Sequence, residues 1–122
     1  MGTFYVGCVI SNHIHRNKKT EIEKILVDTG SEYSWISEEA LKKINIFPEK
    51  KDVQFILANG HTITRDVGFA IFYVMDNLTI DEVVFARRGD LHLLGARTLE
   101  GLNLLVDSRK KRLVAAGPLP AA

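Results

Sequence analysis

Along the chain, short runs of branched and aromatic residues alternate with polar breaks, the pattern of many short strands rather than of long amphipathic helices. Thr3 to Ile10 predicts a strand, and the polar, basic stretch Asn12 to Lys19 predicts the turn after it. Thr20 to Lys24 alternates, with Glu21 and Glu23 on one face and Ile22 on the other. Ile25-Leu26-Val27 then runs wholly apolar, so this strand enters the core. Tyr33 to Ile36 predicts a short strand. Ser37 has the chemistry of a helix N-cap, Glu38 and Glu39 suit a first turn, and Lys42 and Lys43 suit a last one. Ala40, Leu41 and Ile44 form the apolar stripe of that helix, and Pro48 is expected to end the helical region.

In the second half, Val53 to Ala58 and His61 to Thr64 flank Asn59-Gly60, a strong hairpin signal. Gly68 is expected to bend or bulge the next strand, Val67 to Met75, which pairs with Leu78 to Ala86 about Asp76-Asn77. The charged loop Arg87-Arg88-Gly89-Asp90 leads into a second apolar run closing on glycine, Leu91-His92-Leu93-Leu94-Gly95. A short helical pattern, Ala96 to Leu102, follows directly. Leu104 to Asp107 and Arg112 to Ala115 flank the basic turn Ser108 to Lys111 as a last hairpin, and Gly117-Pro118-Leu119-Pro120 begins a tail. Many strands with one or two short helices predict an all-β domain whose sheet edges close into a small barrel or sandwich.

Composition narrows the class. The 122 residues suit a single domain, 1–122, with 117–122 as tail. A net charge of +1 gives no global field for nucleic acid or an anionic membrane. The basic turn Arg109 to Arg112 lacks interleaved aromatics, so an RNA-binding barrel is the weaker alternative. No apolar stretch is long enough to span a bilayer, the first strand lacks a basic leader, and Val6 stands where an acylation motif after Gly2 requires Ser or Thr. The lone Cys8 lies in an apolar run and reads as a core thiol of a reducing, cytoplasmic protein. His13 and His15 would share one strand face but have no acidic or cysteine neighbour at ligand spacing. Neither a metal nor a cofactor is expected.

Chemistry concentrates at Ile25-Leu26-Val27-Asp28-Thr29-Gly30-Ser31. A strand that is apolar up to Asp28 delivers a carboxylate at the edge of the core, and such a group is hydrogen-bonded, neutralised or used. Gly30 permits a tight turn, and the hydroxyls of Thr29 and Ser31 can donate to the carboxylate. The plain alternative is a turn-capping aspartate.

An apolar strand, Asp-Thr-Gly, and a later apolar-apolar-Gly before a short helix together resemble the retropepsin-like, retroviral-type single-domain aspartic proteases, in element order over nearly the whole chain. The resemblance implies a small closed barrel of the acid-protease type. It also implies an aspartic endopeptidase cutting extended peptide or protein substrates. One chain carries one Asp-Thr-Gly, so the two carboxylates of the family's chemistry would be Asp28 from each half of a homodimer. On the same resemblance Thr29 bonds across the two-fold axis and Gly30 and Glu32 contact substrate backbone. The Asn59-Gly60 hairpin is the flap over bound peptide, and Leu93, Leu94 and Gly95 pack behind the aspartate loop. A Ser31 hydroxyl donating to Asp28 would favour its ionised form and an acid optimum. Arg87 and Arg88 would border the groove and favour acidic side chains. Three positions depart from the common retroviral pattern: Ser31 stands where alanine is usual, Glu32 replaces a second aspartate, and Ala96 stands where arginine is common, with Arg97 one residue later. The alternative within the same fold is an inactive peptide-binding or dimerisation module.

Overall fold

The branched and aromatic runs become strands β1 (Phe4–Ser11), β2 (Lys19–Val27) and β3 (Ser34–Ser37), then helix α1 (Glu38–Lys43), then β4 (Lys50–Ile56), β5 (Thr62–Val74), β6 (Asn77–Ala86) and β7 (Leu93–Leu94). Helix α2 (Ala96–Gly101), β8 (Leu104–Asp107) and β9 (Arg112–Ala115) complete the order. This computed structural model describes residues 3–121; Met1, Gly2 and Ala122 lie outside it, and with them the Gly2 acylation reading and the last residue of the tail.

Seven strands form one mixed sheet in the order β1-β2-β7-β3-β6-β5-β4. An extra β1–β5 pairing closes six of them into a ring, leaving β4 outside on β5. The β2–β7 and β3–β6 pairs are parallel, while β1–β2 and β5–β6 are antiparallel. The expected all-β barrel is thus a mostly β, ring-like sheet with two six-residue helices. Closure removes the edges of β1 and β5 that an open sheet would expose. Inside the ring lie Ile10, Ile25, Ile36, Leu41, Phe72, Val83 and Leu94, all without exposed surface. Cys8 joins this core, and burial pushes its thiol up to about 12. A second cluster of Trp35, Val67, Val84 and Ala86, joined by Tyr33, Val53, Phe55, Ile63 and Leu93, packs beneath the β4–β5 hairpin. Among the described residues no helix is long and apolar enough to cross a membrane.

Several local expectations are corrected. β5 is one 13-residue strand, not two segments, and pairing across Gly68 is unbroken: Val67↔Val84, Gly68↔Val83, Phe69↔Glu82. Gly68 is required by close packing, because a Cβ there would lie 2.9 Å from the Phe47 carbonyl oxygen and 3.0 Å from the Phe85 ring. A bulge lies on β4 instead, between Lys50 and Val53, where Asp52 has φ 56° and its N–H donates to Asp66; the β1–β2 register also shifts, between Val6 and Cys8. Helix α1 keeps its Ser37 cap, whose hydroxyl accepts the Ala40 N–H, but it ends at Lys43, followed by the left-handed Asn45 (φ 59°), before Pro48. The β5–β6 turn is Met75-Asp76, one residue early, with Met75 at φ 57° and Val74 paired to Asn77. His13 and His15 share no strand face. The Asn12 carboxamide oxygen accepts the N–H groups of Ile14 and His15, which curls the chain into a turn.

Candidate active site

Strand β2 is buried at Ile25 and Val27, and the chain turns sharply after them. Asp28 is half-buried, and Thr29 and Gly30 are exposed. The turn is closed by the Ser31 N–H donating to the Asp28 carbonyl at 3.2 Å, while the Gly30 N–H donates to Asp28 Oδ1 at 2.9 Å. Neither hydroxyl reaches the carboxylate. Ser31 lies past the turn, and its Oγ donates to the Tyr33 carbonyl at 2.8 Å, a local bond that outcompetes the expected one. Thr29 lines a small hollow with Phe4, Val27 and Val106. The hydroxyl basis for an acid optimum is therefore absent in the protomer.

β7 lies alongside the turn. Leu26 pairs with Leu93 and Val27 with Leu94, and the Asp28 N–H donates to the Leu94 carbonyl at 3.1 Å. The next residues stitch the two loops together. Ala96 N–H donates to the Ser31 carbonyl at 2.7 Å, and Arg97 N–H to the Glu32 carbonyl at 3.1 Å. Gly95 sits where a Cβ would lie 2.6 Å from the Tyr33 carbonyl carbon and 2.8 Å from the Glu32 oxygen. Leu94 is fully buried behind the turn, and Leu93 packs with Trp35 in the second cluster.

A buried polar chain backs this arrangement. Gly95 N–H donates to Ser34 Oγ at 2.9 Å, Ser34 Oγ meets Thr98 Oγ1 at 2.6 Å, and Thr98 Oγ1 donates to Asp81 Oδ2 at 2.8 Å. An ionised carboxylate only accepts, so Thr98 gives its proton to Asp81 and Ser34 gives its own to Thr98. The chain is polarised from the Gly95 amide to a charge, and Ser34 and Thr98 have no exposed surface. Arg97 lies 3.7 Å from Asp81 and 3.1 Å from Glu82, with its guanidinium 4.9 Å above the Tyr33 ring. Its ion pairs thus run to β6 and not to Glu32. The Lys50 ammonium, hydrogen-bonded to Glu82, together with Arg97 holds the Glu82 carboxyl below its usual range.

Asp28, Gly30, Ser31 and Glu32 line one end of an open cleft of about 680 Å³ that runs past Tyr33 and Trp35 to residues 54–58, Leu91 and Leu93. Phe55 anchors the hairpin to this wall, edge-on to Tyr33 and tilted on Trp35, each ring centroid 5.3 Å away. The hairpin tip is a three-residue loop. Leu57 N–H donates to the His61 carbonyl, Gly60 N–H donates to the Leu57 carbonyl, and Gly60 has φ 87°. Asn59 and Gly60 stand exposed at the tip and do not line the cleft; Ile56, Leu57 and Ala58 do, and Ile56 is 79% exposed.

Sequence reasoning missed a pair at the base of this hairpin. Asp90, read only as the end of a charged loop, holds Arg65 of β5 through two bonds of 2.7 and 2.9 Å, with both side chains largely buried. Nothing in the local pattern links positions 65 and 90; only the fold brings them together. Among the described residues no group of three or more His, Cys, Asp or Glu is placed to hold a metal ion.

The architecture is shared with solved proteases. The solution structure of the Simian Foamy Virus (mac) protease matches with a TM-score of 0.52 and 18% identity, over 79% of this chain and 91% of that one. The crystal structure of the retroviral protease-like domain of Ddi1 from Leishmania major matches with a TM-score of 0.57 and 15% identity, over 98% of this chain and 96% of that one. No curated protein matches the sequence. A family model described as aspartyl protease matches residues 16–95, a span that begins before β2 and ends on the glycine behind the Asp28 turn; the chain belongs to the aspartyl protease family.

Proposed function

We propose that the protein is an aspartic endopeptidase that works as a homodimer, with Asp28 of each subunit forming one catalytic dyad. The observation that carries this is the placement of Asp28. Its carboxylate stands at the end of a peptide-sized cleft, half-buried, on a turn pinned by Leu94, Gly95 and Ala96. One oxygen takes the Gly30 amide, which orients the group without neutralising it. Peptide hydrolysis of this kind needs two carboxyls sharing a proton. The ionised one takes a proton from water as its oxygen attacks the scissile carbonyl carbon. The protonated one gives its proton to the carbonyl oxygen; the first carboxyl then gives the proton it took to the departing nitrogen, while the second takes one back from the diol, as the C–N bond breaks and the amine leaves. Asp90, another carboxylate near the cleft, is committed to Arg65, and among the described residues lining the cleft Glu32 is the carboxylate that accompanies Asp28. In this reading Asp28 of the partner subunit completes the dyad, and the exposure of Thr29 in the protomer supports its being covered by that subunit.

The β4–β5 hairpin acts as the flap. Ile56, Leu57 and Ala58 press on the substrate while Asn59 and Gly60 form the moving tip, and closure excludes water from the dyad.

The test is Asp28→Asn. The amide keeps the acceptor for Gly30 N–H, so the melting temperature should hardly move, while peptide cleavage and its inhibition by a pepstatin-like compound should fall by about 10²–10⁴-fold or more. Undiminished cleavage by the variant overturns the assignment. Peptide binding by wild type without any cleavage would instead point to the non-catalytic module.

A further inference from the structure

Past Leu57 and Leu93 the cleft continues into a second bay of about 470 Å³. Trp35, Ile63 and Leu91 give it apolar walls, and three charged side chains border it: Arg65, Arg88 and Asp90. Two of these are spent on each other. Asp90 takes Nε and Nη2 of Arg65 and also accepts the Arg87 backbone N–H at 2.8 Å, while Arg65 Nη1 donates to the Thr64 carbonyl. Arg88 is left over. It is exposed and belongs to no ion pair among the described residues. Arg87, its neighbour in sequence, does not line the bay. It faces a separate depression with Glu38 and Glu39, which Arg88 also borders without an ion-pair contact to either glutamate. The carboxylates of Asp28 and Glu32 line the first part of the cleft and not this bay. Within one protomer the two parts therefore differ in charge, with anionic groups in one and an uncompensated guanidinium in the other.

A cation left unpaired beside apolar walls gains most from a ligand with an apolar stem and a carboxylate tip. The walls take the methylenes, and the guanidinium fork takes both oxygens. The geometry points to a carboxylate-selecting subsite in which Arg88 binds a glutamate side chain of an extended peptide, its stem lying on Trp35 and Leu91. This rests on the peptide-binding part of the function proposed above and adds the substrate class: peptides with an acidic residue at a fixed distance from the bond that meets Asp28, on either side of it, because the two-fold axis repeats Arg88.

The experiment uses the whole chain and fluorescent peptides with a reduced, non-hydrolysable bond at the centre, carrying Glu, Gln or Lys at each flanking position in turn. Affinity is read by anisotropy, and the matching natural peptides are assayed for cleavage in parallel. At one position, and at its two-fold-related counterpart across the central bond, Glu should bind about three- to tenfold tighter than Gln at low salt, and the advantage should shrink as salt is added. Arg88→Glu should reverse the preference to Lys at that position, Arg88→Gln should erase it, and neutral peptides should bind all three proteins alike. Equal binding of Glu and Gln peptides at every position, or a glutamate preference that survives Arg88→Glu, overturns the inference. Binding with the predicted preference but no cleavage upholds it while overturning the protease reading, and no binding of any peptide overturns both.

Discussion

Gly95 and Tyr33 are in backbone contact: a methyl group at 95 would lie 2.6 Å from the Tyr33 carbonyl carbon. This contact lets the β7–α2 junction nest against the chain between Asp28 and β3, so the shape of the aspartate turn depends on a residue 67 positions away in sequence. Gly95→Ala should push the two backbones apart and cost about 1–3 kcal/mol of stability. Gly7→Ala, whose Cβ would sit at an ordinary 3.7 Å from Glu23, should cost little. Urea unfolding of both variants checks this, and equal midpoints would refute the close-contact account.

The Ser34–Thr98–Asp81 chain makes a separate prediction. Thr98→Val keeps the shape but leaves a buried Ser34 hydroxyl without an acceptor and Asp81 Oδ2 without its Thr98 donor, a loss of about 1–3 kcal/mol. Thr98→Ser keeps both bonds and should lose less. If denaturation shows the valine variant to be the more stable of the two, the chain carries no structural weight.

The Arg65–Asp90 pair should show in the acid limb of stability. The Arg65 guanidinium, bonded to the carboxylate, holds Asp90 below the usual aspartate range. A depressed folded value means that the unfolded chain binds the proton more readily. The pair therefore stabilises above the unfolded value of about 3.9, and that contribution is lost as pH falls through the lower folded value. Asp90→Asn should be less stable than wild type by about 1–3 kcal/mol at pH 7, with the gap closing below about pH 4. Thermal melts across pH read this directly; a gap that stays constant down to about pH 2 would contradict it.

Much of the architecture was legible because strand signals and turn chemistry are local. Branched runs, the Ser37 cap and the glycine of the β4–β5 tip all act within a few residues. The local misreadings have local competitors. Asn45 in a left-handed conformation stopped α1 before Pro48 could, and Gly68 served packing from Phe47 and Phe85 that no window around it contains. At the site, the Asp-Thr-Gly turn and the downstream Leu-Leu-Gly announced themselves as motifs. The partners that immobilise them did not: Ser34 to Thr98 and Arg65 to Asp90 are pairings made by the closed ring, between residues unremarkable in their own segments. Ser31 was legible as a hydroxyl beside Asp28 but not in its direction, because the choice between the carboxylate and the Tyr33 carbonyl depends on how the chain leaves the turn.

The central claim is that catalysis belongs to two copies of Asp28, and specific activity over a dilution series tests it most directly. The series should bracket the monomer–dimer transition measured by sedimentation, with one peptide substrate throughout. Above the dissociation constant, rate should rise linearly with protein. Well below it, rate should rise with the square of concentration, so that activity per milligram falls in proportion to dilution. A specific activity that stays constant to concentrations at which the protein sediments as a monomer would contradict the account. It would transfer the chemistry to a single subunit, with Glu32 in the same cleft as the carboxylate to examine.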